Sequence, residues 1–137
     1  MTDKKKSSLM TDDEWLARFI LFSKWIRASD QTVRPAAFIP HPYPDLSVTR
    51  HKNLPEQELW RIGQGVADAR PAKLYGRADI QVAEVRRQTL TVESKPVANN
   101  ANHANVVGWP VEKSAQISIA QQLAAVARYF RKPVTTS

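Results

Sequence analysis

Three histidines are the side chains of this sequence best suited to catalysis without a cofactor. His41, His51 and His103 all fall in predicted loops or at predicted strand ends. Two histidines beside a cation can cleave RNA, because one ring removes the proton of the 2′-hydroxyl, the other protonates the leaving oxygen, and the cation stabilises the charged phosphorus. His51 next to Arg50, with His103 and Lys113 as partners, supplies these residue types. One hypothesis is therefore a metal-independent ribonuclease of toxin or defence type.

The spacing of the histidines favours neither a metal site nor a cofactor. No two of them stand at helical or tight-turn ligand spacing. The chain has no cysteine, which excludes disulfides, thiolate metal sites and cysteine nucleophiles. We predict no metal and no cofactor. An NAD-dependent transferase, with Arg50 holding the dinucleotide phosphates, is a further alternative, but Glu84 and Glu93 form no recognisable catalytic motif for it.

The formal net charge of +7 predicts an affinity for polyanions. Most of the excess lies after residue 30, in the body of the chain. The candidate nucleic-acid contacts are Arg50, Lys52, Arg77, Arg86 and Arg87, together with Trp109, whose ring can stack on a base. We therefore predict a small basic binding or accessory module that associates with RNA or DNA. The alternative is a basic protein that binds no nucleic acid, because no basic run after Lys6 is longer than two residues.

A length of 137 residues predicts one domain. Residues 1–10 are polar, basic and without periodicity, so we expect them to be disordered. We expect the folded domain over residues 11–132 and a flexible C-terminus over residues 133–137. The first residues lack the apolar segment of a signal peptide, and the longest apolar run, at residues 19–22, is too short to span a bilayer. These features predict a cytoplasmic protein with no membrane partner.

The segment TDDEWLARFILFSKWIRAS predicts a first helix. Thr11 and Glu14 have the spacing of a capping box, in which each side chain bonds an unpaired amide of the first turn. Apolar side chains then recur at helical spacing at Trp15, Phe19, Phe22 and Ile26. This stripe either packs into the core or, if the helix projects, binds a protein partner.

The middle of the chain predicts an extended segment, a strand and a second helix. Prolines at positions 35, 40, 42 and 44 exclude a helix there and favour extended backbone across the surface. Residues 46–50 alternate apolar and polar as a strand does. NLPEQELWRIGQGVADAR predicts a helix that Asn53 caps. Gly63 and Gly65 weaken that helix, which indicates either close approach to a neighbouring element or an early end.

The last part of the chain predicts more strands and a third helix. We expect a strand over residues 73–78, a turn or two of helix capped by Asp79, and a strand over residues 88–94, with a plain hairpin as the alternative. HANVVGW predicts a short strand before Pro110, and a final helix follows over residues 114–130. The sum is a single α+β domain with three main helices packed on a small sheet of three to four strands.

Two short motifs have both a structural and a functional interpretation. In YGRAD, a helix N-terminus beside Arg77 would suit an anion, whereas the simpler interpretation is a turn at Gly76 and a cap at Asp79. In NHANVVGWP, the Asn and Gly residues turn the chain and Trp109 seals the core. The second motif is mainly structural, and His103 is its residue most worth testing.

These segments together resemble a family of small bacterial hypothetical proteins of no established activity. The resemblance covers about residues 13–130. Its motifs are Ser47, Val48 and Arg50 in one strand, Trp60 in a helix, residues 76–79, residues 103–105, residues 108–110 and Lys113. It implies a bacterial origin and a self-contained domain, and it implies no mechanism.

Overall fold

The computed structural model describes residues 10–134, which form eight strands, three α-helices and two short 3-10 helices. The strands are β1 (Trp15–Ile20), β2 (Ile26–Arg27), β3 (Thr32–Val33), β4 (Leu46–Arg50), β5 (Gly76–Gln81), β6 (Thr91–Ser94), β7 (His103–Val107) and β8 (Arg128–Arg131). The helices are α1 (Glu56–Ala69), α2 (Val82–Arg87) and α3 (Lys113–Val126), and the 3-10 helices are Ser23–Trp25 and Pro35–Phe38.

Six strands form one sheet in the order β6-β7-β4-β1-β5-β8, and each neighbouring pair is antiparallel. Strands β2 and β3 form a separate pair. The class is α+β, but the prediction of a sheet of three to four strands is wrong, because β1 and β8 also belong to it. Of the termini predicted to be disordered or flexible, residues 1–9 and 135–137 lie outside the described residues, and Met10 is buried in the core.

The predicted N-terminal helix is wrong, since residues 15–20 are the central strand β1. This strand lies between β4 and β5, so both of its faces are covered: Leu16 and Ile20 pack on one side, Ala17 and Phe19 on the other. A strand buried on both faces loses its alternating pattern and imitates an apolar helix.

The features assigned to that helix are corrected with it. The predicted capping box does not form, because the Thr11 hydroxyl bonds Asp13 and the Glu14 carboxylate pairs with Arg50. The predicted helical partner face of Trp15, Phe19, Phe22 and Ile26 does not exist. Only Trp15 and Phe19 share a face of β1, while Phe22 and Ile26 lie beyond its end.

The last predicted helix is also wrong at its C-terminal end. Helix α3 stops at Val126, and Ala127 is extended with φ −72° and ψ 146°. The chain then pairs with β5 through Tyr129 opposite Ala78 and Phe130 opposite Arg77. Aromatic residues are common in strands, and the pairing with β8 provides hydrogen-bond partners for the backbone groups along the outer edge of β5.

The two faces of the sheet are covered by different helices. One face carries the larger core, which α2, α3 and the 3-10 helix at Pro35–Phe38 close with Val85, Leu123 and Phe38. On the opposite face, α1 packs Leu59 and Ile62 against β1 and also lies over β5 and the edge strand β8. Because α1 leaves β4, β7 and β6 uncovered on this side, polar side chains such as Ser47 and Asn105 face a cleft, whereas Thr49 is buried and accepts a hydrogen bond from Asn100.

Helix α1 approaches β1 most closely at Gly63. A Cβ atom at this position would lie 2.5 Å from Cε1 and 2.6 Å from Cδ1 of Phe19, whereas a Cβ at Gly65 would meet nothing within 4 Å. The close approach predicted from the sequence is therefore confirmed for Gly63 and not for Gly65.

The two glycines give a matched test of this packing. We expect Gly63→Ala to lower the free energy of unfolding by about 1–3 kcal/mol, because Phe19 is buried and must move away from the new methyl group. We expect Gly65→Ala to raise it by up to about 1 kcal/mol, since alanine is the better helix former. Urea unfolding of both variants measures the difference, and equal effects would contradict the contact.

Candidate functional site

A large cleft of about 620 Å³ lies beside α1, where strands β1 and β4 separate. Its walls are the C-terminal half of α1, the proline-rich segment at residues 39–45, and the end of β1 with the 3-10 helix that follows it. Its floor is formed by β4 and β7. Its lining includes Arg18, Phe22, Trp25, His41, Tyr43, Ser47, Thr49, Arg70, His103 and Asn105.

The cleft exists because β1 and β4 separate. They pair only at Leu16 with Arg50 and at Ala17 with Thr49, and then diverge. Prolines at positions 40, 42 and 44 remove backbone donors from the neighbouring segment, so it lines the gap rather than joining the sheet.

Arg18 bridges the gap with its guanidinium group. Nε donates to the Ala37 carbonyl at 2.8 Å and Nη1 donates to the Ser47 carbonyl at 3.0 Å, while the group lies 5.3 Å from the centre of the Trp25 ring. The Nη2 atom has no hydrogen-bond partner among residues 10–134. Two hydrogen bonds thus hold the guanidinium group in place, and the N–H groups of Nη2 can still donate to a ligand.

The charge of Arg18 is not neutralised within the described part of the chain. Burial, and next the positive charge of Arg70, lower the pKa of Arg18 to about 10, so the side chain is still protonated at neutral pH. Neither arginine joins an ion pair within residues 10–134. Two unpaired cations at one cleft create a positive potential that attracts anions.

The floor and rim of the cleft supply hydrogen-bonding and aromatic groups. Ser47 and Thr49 of β4 stand opposite Asn105 and His103 of β7. Phe22 and Trp25 meet edge to face with their ring centres 4.9 Å apart, and Tyr43 is 61% exposed on the rim. Cations, amide and hydroxyl groups and exposed rings together match a ligand that combines phosphate with planar bases.

A second, smaller cleft of about 190 Å³ lies near the N-terminal end of β1, lined by Trp15, His51, Asp79, Arg128 and Phe130. His51 Nε2 is 3.2 Å from Asp79 Oδ1. The ring N–H does not point at this oxygen, so Nε2 is buried without a hydrogen-bond partner among the described residues. The ring reaches Asp79 on β5 across β1, where the small Ala17 leaves the space open.

Asp79 is fixed by a buried arginine network. Arg77 Nε lies 3.1 Å from each Asp79 oxygen, and the terminal nitrogens of Arg77 bond Glu56 at 2.8 and 3.3 Å. The guanidinium is stacked between the rings of Trp60 at 4.7 Å and Phe130 at 4.8 Å. Burial acts to lower the pKa of Arg77, but the hydrogen bonds and charges of Glu56 and Asp79 outweigh it and raise the pKa.

Most of the residues predicted to bind nucleic acid are engaged within the fold. Arg50 is buried and bonds Glu14 through two nitrogens, and Arg77 belongs to the network above. The others with partners are Arg86 with Asp12 and the Met10 carbonyl, Arg87 with Glu84, and Trp109 with the Val106 carbonyl. Among these six and within the described residues, only Lys52 makes no such bond.

The histidine pair predicted for RNA cleavage is divided between the two clefts. His51 and His103 lie on the same face of adjacent strands, but His51 contacts Asp79 while His103 Nδ1 lies 2.8 Å from the Lys95 carbonyl oxygen. His103 shares the large cleft with His41 instead. Lys113 begins α3 and lines neither cleft.

Two further sequence-based expectations change. Asp79 does not cap a helix, because residues 76–81 are strand β5 and α2 begins only at Val82. Arg50, proposed to hold NAD phosphates, is committed to Glu14, and Glu84 pairs with Arg87.

The sequence analysis missed Arg18 and Arg70. Arg18 stands within an apolar run, and an arginine at a buried strand position is the signal that would have marked it. Arg70 ends α1 and carries no such signal. Across residues 10–134, no three His, Asp or Glu side chains gather in a candidate metal site, and no helix there is both long and apolar enough to cross a membrane.

Comparison with protein-family models, with characterised proteins and with solved structures finds no match to this chain.

Loss of Arg77 tests the network at the small cleft. We expect Arg77→Met to lower the free energy of unfolding by about 3–5 kcal/mol, because the buried Asp79 carboxylate loses its cation. The matched control is Arg87→Met, an exposed arginine paired only with Glu84, which we expect to change stability by at most about 0.5 kcal/mol. Chemical denaturation measures the free energy of unfolding of both variants. Equal decreases would show that the Arg77 network stabilises the fold no more than the exposed pair of Arg87 with Glu84 does.

Glu56 gives the protein a predictable acid sensitivity. The hydrogen bond from Arg77 is the main cause that lowers the pKa of Glu56 below its usual 4.5. Its pairing therefore stabilises the fold above pH 4.5 and is lost as the pH falls below that value. We expect Glu56→Gln to reduce the loss of stability between pH 6 and pH 3 by less than about 1 kcal/mol, since the carboxylate is mostly exposed. Parallel stability curves for the two proteins would contradict the pairing.

Proposed function

We propose that this protein is a binding module for single-stranded nucleic acid and that the large cleft holds a short stretch of the strand. The observation that carries the proposal is Arg18, a partly buried arginine bound to two backbone carbonyls, with Nη2 uncommitted and no carboxylate partner in the described chain. A fixed cation with a free donor edge suits a phosphate oxygen.

The surroundings of Arg18 favour a strand with unpaired bases over a duplex. A volume of about 620 Å³ fits a ligand of nucleotide size. Tyr43 is exposed on the rim, and Trp25 lies beneath the guanidinium of Arg18, so bases have rings to stack on next to the charge that holds the phosphate.

The arrangement of the remaining arginines points the same way. A duplex is held mainly by rows of arginine and lysine that contact its phosphates. Arg50, Arg77, Arg86 and Arg87 are instead bonded to carboxylates of the protein itself. Arg18 and Arg70, which have no carboxylate partner within residues 10–134, line the concave cleft, whose shape suits a single strand.

Fluorescence anisotropy of a labelled ten-nucleotide RNA, the same DNA strand and its duplex tests the proposal across a salt series. We expect the single strands to bind more tightly than the duplex, with affinity that falls as salt rises. A flat salt response or preference for the duplex would contradict the proposal.

Two variants assign the binding to the cleft. Arg70→Ala should weaken binding by about 1.5–3 kcal/mol and reduce the salt slope by about one, because one charged contact to phosphate is lost. Tyr43→Ala should weaken binding by about 1–3 kcal/mol with the salt slope unchanged, because a stacking contact is lost. Arg87→Ala, which removes the same charge outside the cleft, is the control, and a loss equal to that of Arg70→Ala would place the binding elsewhere.

A further inference from the structure

We propose that the small cleft is a proton-transfer site, in which His51 promotes cleavage of a phosphodiester with a neighbouring hydroxyl group, as in RNA. The proposal concerns different residues from the single-strand cleft and does not depend on it. It replaces the divided pair of His51 and His103 with groups that the fold brings together: His51, Asp79 and Arg128.

His51 is oriented for proton transfer. Nε2 is buried and faces the Asp79 carboxylate at 3.2 Å, while Nδ1 has no hydrogen-bond partner among the described residues. The side chain is 25% exposed at the cleft. One nitrogen thus faces a carboxylate, and the other is available to take a proton from a substrate.

Arg128 supplies the anion-binding group. It is exposed on β8, its guanidinium stacks 4.9 Å from the centre of the Trp15 ring, and it forms no ion pair within residues 10–134. Asp79 lines the same cleft but forms no ion pair with Arg128, and both of its oxygens are bonded to Arg77. A free arginine beside a histidine stabilises the extra negative charge of a pentacoordinate phosphorus.

The lining residues also indicate the substrate class. Trp15, His51, Asp79, Arg128 and Phe130 include no hydroxyl or amine that would serve as a nucleophile. The Asp79 carboxylate is held by Arg77 and His51 serves as the base, so the attacking oxygen comes from the substrate or from water. A neighbouring 2′-hydroxyl is already placed next to the phosphorus, so a single base and a single cation suffice.

The reaction then balances without a further reactant. His51 Nδ1 takes the 2′-hydroxyl proton, the 2′-oxygen bonds to phosphorus, and the bond from phosphorus to the 5′-oxygen breaks with its electron pair. The leaving oxygen takes a proton from solvent water, and the protonated His51 returns its proton to the resulting hydroxide. The products are a 2′,3′-cyclic phosphate and a 5′-hydroxyl.

The test uses the full chain and a labelled DNA oligonucleotide that contains one ribonucleotide, with the all-DNA strand as control. We expect cleavage only at the ribonucleotide, with a cyclic phosphate end detected by mass spectrometry. His51→Ala should lower the rate about 10²–10⁴-fold and Arg128→Ala about 10²–10³-fold. Free imidazole should restore part of the rate of His51→Ala, which a structural role would not allow.

Asp79 is a positioning residue in this scheme. We expect Asp79→Asn to lower kcat and leave KM unchanged, because the carboxylate acts on His51 and not on the substrate. Thermal melting verifies that each variant is folded. If His51→Ala does not fold, His51→Gln takes its place in the assay.

The outcomes separate the two proposals. No cleavage, cleavage of the all-DNA strand, or equal cleavage by wild type and His51→Ala would each overturn the proton-transfer site. If His51→Ala leaves the affinity for single-stranded nucleic acid unchanged and Arg70→Ala lowers it, the nucleic acid binds at the large cleft. This conclusion holds whether or not the protein cleaves RNA.

Discussion

The fold depends on one buried cation, the guanidinium of Arg77 between the rings of Trp60 and Phe130. This group joins three elements, since Trp60 lies on α1, Arg77 on β5 and Phe130 on the edge strand β8. The ion pairs of Arg77 with Glu56 and Asp79 offset the free-energy cost of burying its positive charge. Helix α1 is thereby attached over β1, β5 and β8, and it leaves β4, β7 and β6 uncovered on that face.

The two clefts follow from where α1 ends. At its N-terminal end the arginine network orders Asp79, which in turn lies beside His51. At its C-terminal end Arg70 joins Arg18 at the gap between β1 and β4. Helix α1 thus lies between two sites: one holds His51 and Asp79, and the other holds Arg18 and Arg70, which have no ion-pair partner within residues 10–134.

The sequence predicts local elements of this fold better than its centre. Residues 46–50 alternate and form β4, and the apolar stripe of the helix predicted over residues 53–70 forms α1 at Glu56–Ala69, although Asn53 does not cap it and no side chain does. Strand β1 was missed because it is covered on both faces, and β8 because its aromatic residues continue the spacing of α3. Ion pairs such as Arg50 with Glu14 depend on which strands lie side by side, and the sequence does not show this. Arginines that the sequence analysis assigned to nucleic-acid binding are therefore bonded to carboxylates of the protein itself.

The most direct test uses the four tryptophans as reporters of where a strand binds. Trp25 lies at the large cleft, Trp15 at the small one, Trp60 on Arg77, and Trp109 is bonded to Val106. We would record the indole N–H signals by NMR during titration with a short single-stranded RNA, in an inactive His51→Ala background. We expect the Trp25 signal to shift most and Trp109 to stay unchanged. A titration that shifts Trp109 alone, or none of the four, would contradict binding at the cleft of Arg18.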